Sequence, residues 1–349
     1  MEYSTTITIV KAIGIMLMVL AHTLPSESVV WRVIYTFHMP LFFIMSGYCF
    51  KERYLDDAKR FIVRKIKGIY VPFVLFSLAF LSLHNVFCRL YIYDPTWLYG
   101  WKDYFWQTLR IVTRMSHNEG LLGSFWFLKE LFWGNLIFYA ALRIWKRKVV
   151  PAVIGMFLLA ELLCLTHLRI PYFNVTYNSV FAAFFISIGY CWKQTKWQLN
   201  KLVLWIGGSI LIALELLLLH KVEFVGLSPT QLPVFVLPAI AGTMMVYDLS
   251  RMILVFVPRF ISLSLEFVGE YTLAIMALHM LSFKIVTFGF IKTYHLPIER
   301  LTDFPVMYDY ENTGASLLYT FVGVLAPLSM VWIWLRGKKI FECLKKLGI

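Results

Sequence analysis

Residues 31–50 read WRVIYTFHMPLFFIMSGYCF, and residues 51–68 read KERYLDDAKRFIVRKIKG. The first stretch is nearly all apolar, and about 20 such residues make a helix long enough to cross a bilayer. The second carries seven Lys and Arg. An apolar span that ends in a basic connection marks a transmembrane helix arriving on the cytoplasmic side.

The same alternation extends along the chain. Spans are predicted at roughly 5–24, 31–50, 69–92, 124–143, 150–169, 178–193, 202–220, 231–249, 267–290 and 315–335. Arg251–Ser264 is also apolar, but it contains Pro258 and Arg259. It reads as a broken or interfacial helix, or as an eleventh partial span. Every second connection is basic: RIWKRK after span 4, Lys193, Lys196 and Lys201 after span 6, Arg251 and Arg259 after span 8. The tail adds Arg336, Lys338, Lys339, Lys345 and Lys346. The connection between spans 9 and 10 is acidic on balance, with Glu299, Asp303, Asp309 and Glu311. The positive-inside rule then places both termini in the cytoplasm. The expected fold is all-α, a polytopic membrane bundle of about ten transmembrane helices. It forms one integral membrane domain over residues 1–349, with its core motifs in 5–290 and a last span and basic tail in 315–349.

Composition leads to the same class. Of 349 residues, 60% are hydrophobic and 15% charged, with a mean hydropathy of +0.70. A soluble domain is about 45–50% apolar and about 25% charged. A soluble globule, a disordered chain, a collagen and a disulfide scaffold are all excluded. The net charge of +13 sits in the short connections, as topology signals do, so nucleic acid is not an expected partner. Cys49, Cys88, Cys164, Cys191 and Cys343 form no CxxC or Cys/His pair, and no metal site is indicated. No Lys or Arg precedes Lys11, so no cleaved signal peptide is expected.

Ionisable residues inside a span are costly and usually face a cavity or the bundle interior. Lys11 and His22 lie in span 1, His38 in span 2, Lys129 and Glu130 in span 4, Glu161 in span 5 and Glu215 in span 7. Glu270 and His279 lie in span 9. Glu161 and Glu215 read as satisfied structural groups. His22 and His38 differ, because both fall in the outer half of antiparallel neighbours. His22 lies about 22 Å from the inner end of its span, and His38 about 10 Å from the outer end of its own. Two imidazoles at one depth suit proton transfer; each alone reads equally as a histidine bonded to a neighbouring helix. His279 is expected to be a packing or hydrogen-bonding residue at mid-depth. Pro40 bends its helix, and Gly47 admits a close neighbour.

Two further features have double readings. Arg64, Lys65 and Lys67 before span 3 are either a topology signal or a phosphate site. Segments 93–123 and 291–314 read as long outer loops. Trp97, Tyr99, Trp101, Tyr104 and Trp106 in the first form either an aromatic belt or a platform for sugar rings.

Five stretches resemble, in order, the acyltransferase 3 family of integral membrane acyltransferases, most closely its fucose-4-O-acetylase-like branch. They are IVKAIGIMLMVLAHT (9–23), FHMPLFFIMSGYCF (37–50), VRKIKGIYVPF (63–73), SFWFLKELF (124–132) and LEFVGEYTLAIMALHML (265–281). The resemblance implies transfer of an acetyl or other acyl group from acyl-CoA, a co-substrate, to a hydroxyl of a cell-surface or lipid-linked glycan. The expected setting is a bacterial cytoplasmic membrane. The family's essential histidine falls on His22 and its span 2 histidine on His38. Its basic pair falls on Arg64 and Lys67, with Lys where relatives usually carry Arg. Relatives often carry an acidic residue at the position of Thr8, so Glu130 or Glu270 is expected to orient the histidine instead. Phosphates of acyl-CoA are expected near Arg64 and Lys67. His22 would act as base or acyl carrier, His38 and Trp126 would shape the pocket, and Lys11 and Lys129 would support substrate or oxyanion. A glycan exporter of the same family and a scaffold subunit are the alternatives.

Overall fold

The computed structural model describes residues 2–26, 28–145, 147–168, 170, 172–196, 199–219 and 223–346, with side chains at all of these except 2–4, 311–313 and 339–346. Glu27 in the first loop, the Glu311 side chain and the tail lysines from Lys339 onward therefore lie outside the described groups. The helices are α1 (Glu2–Ala21), α2 (Val29–Tyr48), α3 (Ala58–Lys65), α4 (Val71–Arg89), α5 (Trp101–Arg114), α6 (Trp126–Ile144) and α7 (Val149–Thr166). They continue as α8 (Tyr177–Thr195), α9 (Lys201–Leu218), α10 (Gln231–Phe256), α11 (Arg259–Glu270), α12 (Thr272–Thr293) and α13 (Ala315–Lys346). Among the described residues no strand forms beyond one isolated bridge, Ile170 to Val175. The fold is an all-α bundle, and each predicted span contains one long helix.

Seven helical stretches among the described residues are long and apolar enough to cross a membrane. The other predicted spans are α1, whose apolar stretch is the shorter Thr5–Ala21, and the buried helices α6 and α8. In α8 nearly every side chain from Asn178 to Tyr190 is buried, which marks a helix enclosed by its neighbours. Small residues let those neighbours in. A methyl group on Gly47 would sit 1.8 Å from the Ile186 carbonyl oxygen, and one on Gly189 would sit 1.8 Å from that of Ile44. The backbones of α2 and α8 are therefore in direct contact, as small residues allow in membrane bundles. Ser28 caps α2 through a bond from the Trp31 amide, which fixes the short turn after α1.

The apolar segment 251–264 is broken at its proline, as one of its sequence readings has it: α10 runs on past the predicted end of its span to Phe256, and the chain breaks at Val257 and Pro258 before α11 begins. Two other boundaries differ from the sequence reading. The predicted span 267–290 straddles a second break at Tyr271, so its long helix is α12. Segment 93–123 is not simply a loop. It contains α5, which runs antiparallel to α4: Asn85 bonds the backbone of Tyr99 at one end, and the Tyr70 hydroxyl donates to the Val112 carbonyl at the other. Its alternation of charged and apolar residues is too polar for a span, which is why hydropathy alone missed it.

The aromatic residues of this segment divide. Trp97, Trp101, Phe105 and Trp106 are exposed, as a membrane belt requires. Tyr99 instead stacks on buried His84 at 3.6 Å, and His84 bonds Glu119 at 3.1 Å and the Trp97 carbonyl at 2.8 Å. That network ties the segment to α4.

Candidate active site

Thr8, Lys11, Ile15, Met18 and His22 recur every three or four residues, so they share one face of α1. Tyr35, His38 with Met39, Phe42 and Met45 do the same on antiparallel α2, and Cys49 follows at its C-cap. These two faces line two adjoining cavities, one toward each end of the helices.

The larger cavity has a volume of about 660 Å³. Its mouth lies among the residues that follow α2 and form α3. Lys51, Arg64 and Lys65 line it there, with Lys193 from α8 and Lys11 from α1. Arg64 donates to the Tyr54 hydroxyl at 2.8 Å, and Lys193 donates to the Phe50 carbonyl at 2.6 Å. These contacts hold both cations at the mouth. Deeper in, the walls are apolar, with Ile15, Phe42, Phe127 and Met276. From Lys11 to His22 is about 16 Å along the helix.

The smaller cavity, about 130 Å³, contains His22 and His38. Tyr35, Ser124 and Trp126 line it as well, and Glu223 brings a carboxylate from the connection between α9 and α10. Met18 and Met39 line both cavities.

Hydrogen bonding defines the state of each imidazole. His279 of α12 places Nδ1 3.0 Å from the carbonyl oxygens of Ile275 and Met276. Carbonyls only accept, so Nδ1 carries the proton and Nε2 of the neutral ring is an acceptor. His22 Nδ1 lies 2.9 Å from that Nε2, and it must donate. The free lone pair of His22 is therefore on Nε2. His38 Nδ1 lies 2.8 Å from the Ile34 carbonyl, and the same argument leaves its lone pair on Nε2. Two histidines of one cavity thus hold their proton-accepting nitrogens unprotonated. A base locked in one tautomer by a second group is the arrangement general-base catalysis needs.

A family model described as an acyltransferase domain matches residues 5–335. The chain belongs to the acyltransferase 3 family. No curated protein and no solved structure matches it. All five motif stretches fall inside the matched region, and all five supply side chains to the two cavities. In this acyltransferase the fifth, LEFVGEYTLAIMALHML, supplies Met276 and the partner of His22.

Of the residues singled out from sequence, His22, His38 and Trp126 meet in one cavity, and Lys11 and Arg64 meet in the other. Lys67 is exposed and lies off the lining, where Lys65 stands instead. The chain between them forms a π-helical turn over Ile66–Tyr70, which rotates the following residues away from α-helical register. Lys129 and Glu130 are buried but bind each other at 2.8 Å, and Ser179 also bonds Glu130. Neither reaches the histidine cavity. Glu270 is exposed at the end of α11, an electrostatic neighbour of Lys11 and not of His22. The role of orienting His22, expected of Glu130 or Glu270, falls geometrically to His279. Glu215 accepts a bond from the Thr36 hydroxyl at 2.7 Å, as a structural group would.

His279, expected from sequence to pack or hydrogen-bond, does so with His22 itself, and Glu223 is a site residue that the sequence does not single out. A signal for His279 exists. Gly269 packs against α1 so closely that a methyl there would lie 1.9 Å from the Thr8 carbonyl oxygen. That contact sets the register of α11 and α12 on α1, and ten residues after Gly269 comes His279, beside His22. Glu223 had no comparable signal, because it sits in a connection with no periodicity.

Proposed function

We propose that the protein transfers an acetyl or other short acyl group from acyl-CoA to a hydroxyl of a cell-surface or lipid-linked glycan. The reading is carried by one observation: a cation-rimmed cavity adjoins, along a single helix face, a small cavity holding two histidines. The phosphates of acyl-CoA match Arg64, Lys65, Lys51 and Lys193, since clustered cations pair with phosphate oxygens. The thioester follows the apolar wall toward His22. A sugar hydroxyl enters the other cavity past Tyr35, Trp126 and Glu223, whose aromatic and carboxylate groups suit sugar rings and hydroxyls. His22 Nε2 takes the hydroxyl proton as the oxygen attacks the thioester carbon.

This scheme fixes an orientation. The donor cavity opens on the side of the basic connections, which is the cytoplasm by the positive-inside rule and the side where acyl-CoA is made. Reporters fused after Lys67, Lys148 or Lys196 are expected to read cytoplasmic, and those near Lys102 or Asp303 external. A cytoplasmic reporter at Asp303 would separate the acceptor side from the outer surface and refute the scheme. The setting this implies is a bacterial cytoplasmic membrane.

The donor site has its own test. Arg64→Ala combined with Lys65→Ala is expected to raise the KM for acetyl-CoA about tenfold with little change in kcat, because a phosphate contact acts mainly on ground-state binding. Lys67→Ala is expected to change it by less than about twofold. The measurement is labelled acetyl transfer from acetyl-CoA into membrane glycan. An unchanged donor KM in the double variant would reduce the cluster to a topology signal.

A further inference from the structure

We propose that Met18 and Met39 form a septum between the donor and histidine cavities, and that this septum restricts the transferred group to a short acyl chain. The inference rests on the acyl-transfer reading above. Among the described residues, these two side chains are the ones common to both linings. Both are buried, Met18 on α1 and Met39 on α2, so they approach from the two helices that carry His22 and His38. On the donor side the wall next to them is apolar, with Ile15, Phe42 and Phe127. Phosphates stop short of that wall, and only the thioester and the thin pantetheine arm behind it reach the septum. Methionine is unbranched and flexible, so the pair yields to a thin chain and closes behind it.

The septum and the small histidine cavity it bounds set the limit together, because both methionines line that cavity. Its volume of about 130 Å³ corresponds to about four water molecules at their share of liquid volume, ~30 Å³ each. It has to take the reacting hydroxyl and the acyl group together. When the thioester carbon stands at His22, the pantetheine arm fills the septum and the acyl chain projects beyond it. An acetyl or propionyl group fits that space beside a hydroxyl, and a hexanoyl chain does not. In the step itself the hydroxyl oxygen bonds to the carbonyl carbon and the carbon–sulfur bond breaks. The hydroxyl proton passes to His22 Nε2, and CoA leaves as thiolate. It then recovers that proton from the imidazolium and departs as the thiol.

The test uses membranes of the producing cell, with each full-length variant replacing the wild-type chain and supplying the native acceptor. Labelled acetyl-, butyryl- and hexanoyl-CoA are the probes, and acyl label in the glycan fraction is read. Met18→Ala and Met39→Ala are each expected to raise the butyryl-to-acetyl ratio about tenfold, the scale of one or two methylenes in an apolar pocket. Met18→Leu and Met39→Leu keep the wild-type ratio. Met39→Trp blocks the passage, losing acetyl transfer while acetyl-CoA still protects Cys49, which lines the donor cavity, from maleimide. An unchanged ratio in alanine variants that still transfer acetyl overturns the septum and leaves the acyl-transfer reading standing. So does full acetyl transfer by Met39→Trp. A wild-type chain that transfers no acyl label, with Cys49 unprotected by acetyl-CoA, overturns both.

Discussion

His22→Gln is expected to remove glycan acylation, about 10²–10⁴-fold, in membranes where the protein accumulates normally. The size of the effect follows from which atom does the work. His22 Nδ1 is committed to His279, so only Nε2 faces the chemistry. A glutamine side chain fits a similar volume and makes hydrogen bonds, but its amide takes no proton near neutral pH. His22→Ala removes the group altogether and is expected to match it, which separates loss of basicity from loss of shape. His38→Gln is the control from the same cavity. Its Nδ1 is tied to its own helix at Ile34 and not to a second imidazole, so its loss is expected to be the smaller of the two. Acylated glycan is measured by mass spectrometry, with the protein quantified in the same membranes. Near-normal acylation in well-expressed His22→Gln would take His22 out of the mechanism.

The spans and their charge alternation were legible because hydropathy is additive along the chain and needs no partner. The polar residues of the spans were legible for the same reason: His22, His38 and Lys11 stand out against apolar surroundings. What required three dimensions was pairing. Lys129 and Glu130 look like free functional groups in sequence, and the structure joins them to each other. Arg64 and Lys67, three residues apart, share a face of a regular α-helix, and the π-helical turn at Ile66–Tyr70 takes Lys67 out of that register. Met18 and Met39 belong to apolar runs in which no single residue is distinguished, and they gain meaning only where two cavities meet. The break at Tyr271 falls in the polar stretch Gly269–Thr272, a dip too short to interrupt a reading averaged over a whole span.

His279 gives the strongest test of whether the site is a relay of two rings or a single base. Replacing it with leucine keeps the helix and most of the volume but leaves the His22 Nδ1–H buried without an acceptor. Such a loss costs about 1–3 kcal/mol, which corresponds to roughly 5- to 150-fold in rate if it falls on the transition state. The cost lies there, because His22 becomes an imidazolium as it takes the hydroxyl proton, and a bond from a charged donor is stronger than one from a neutral ring. His279→Gln restores an acceptor, its carbonyl oxygen, to the same helix position. It is expected to recover much of the activity that His279→Leu loses, although the amide has no basic nitrogen. Rescue by the conservative variant distinguishes this positioning role from packing: glutamine offers Nδ1–H an acceptor and leucine does not, whereas a packing defect is repaired by neither. Equal activity in His279→Leu and wild type, or a glutamine variant no better than leucine, would return His279 to the packing role its sequence position first suggested.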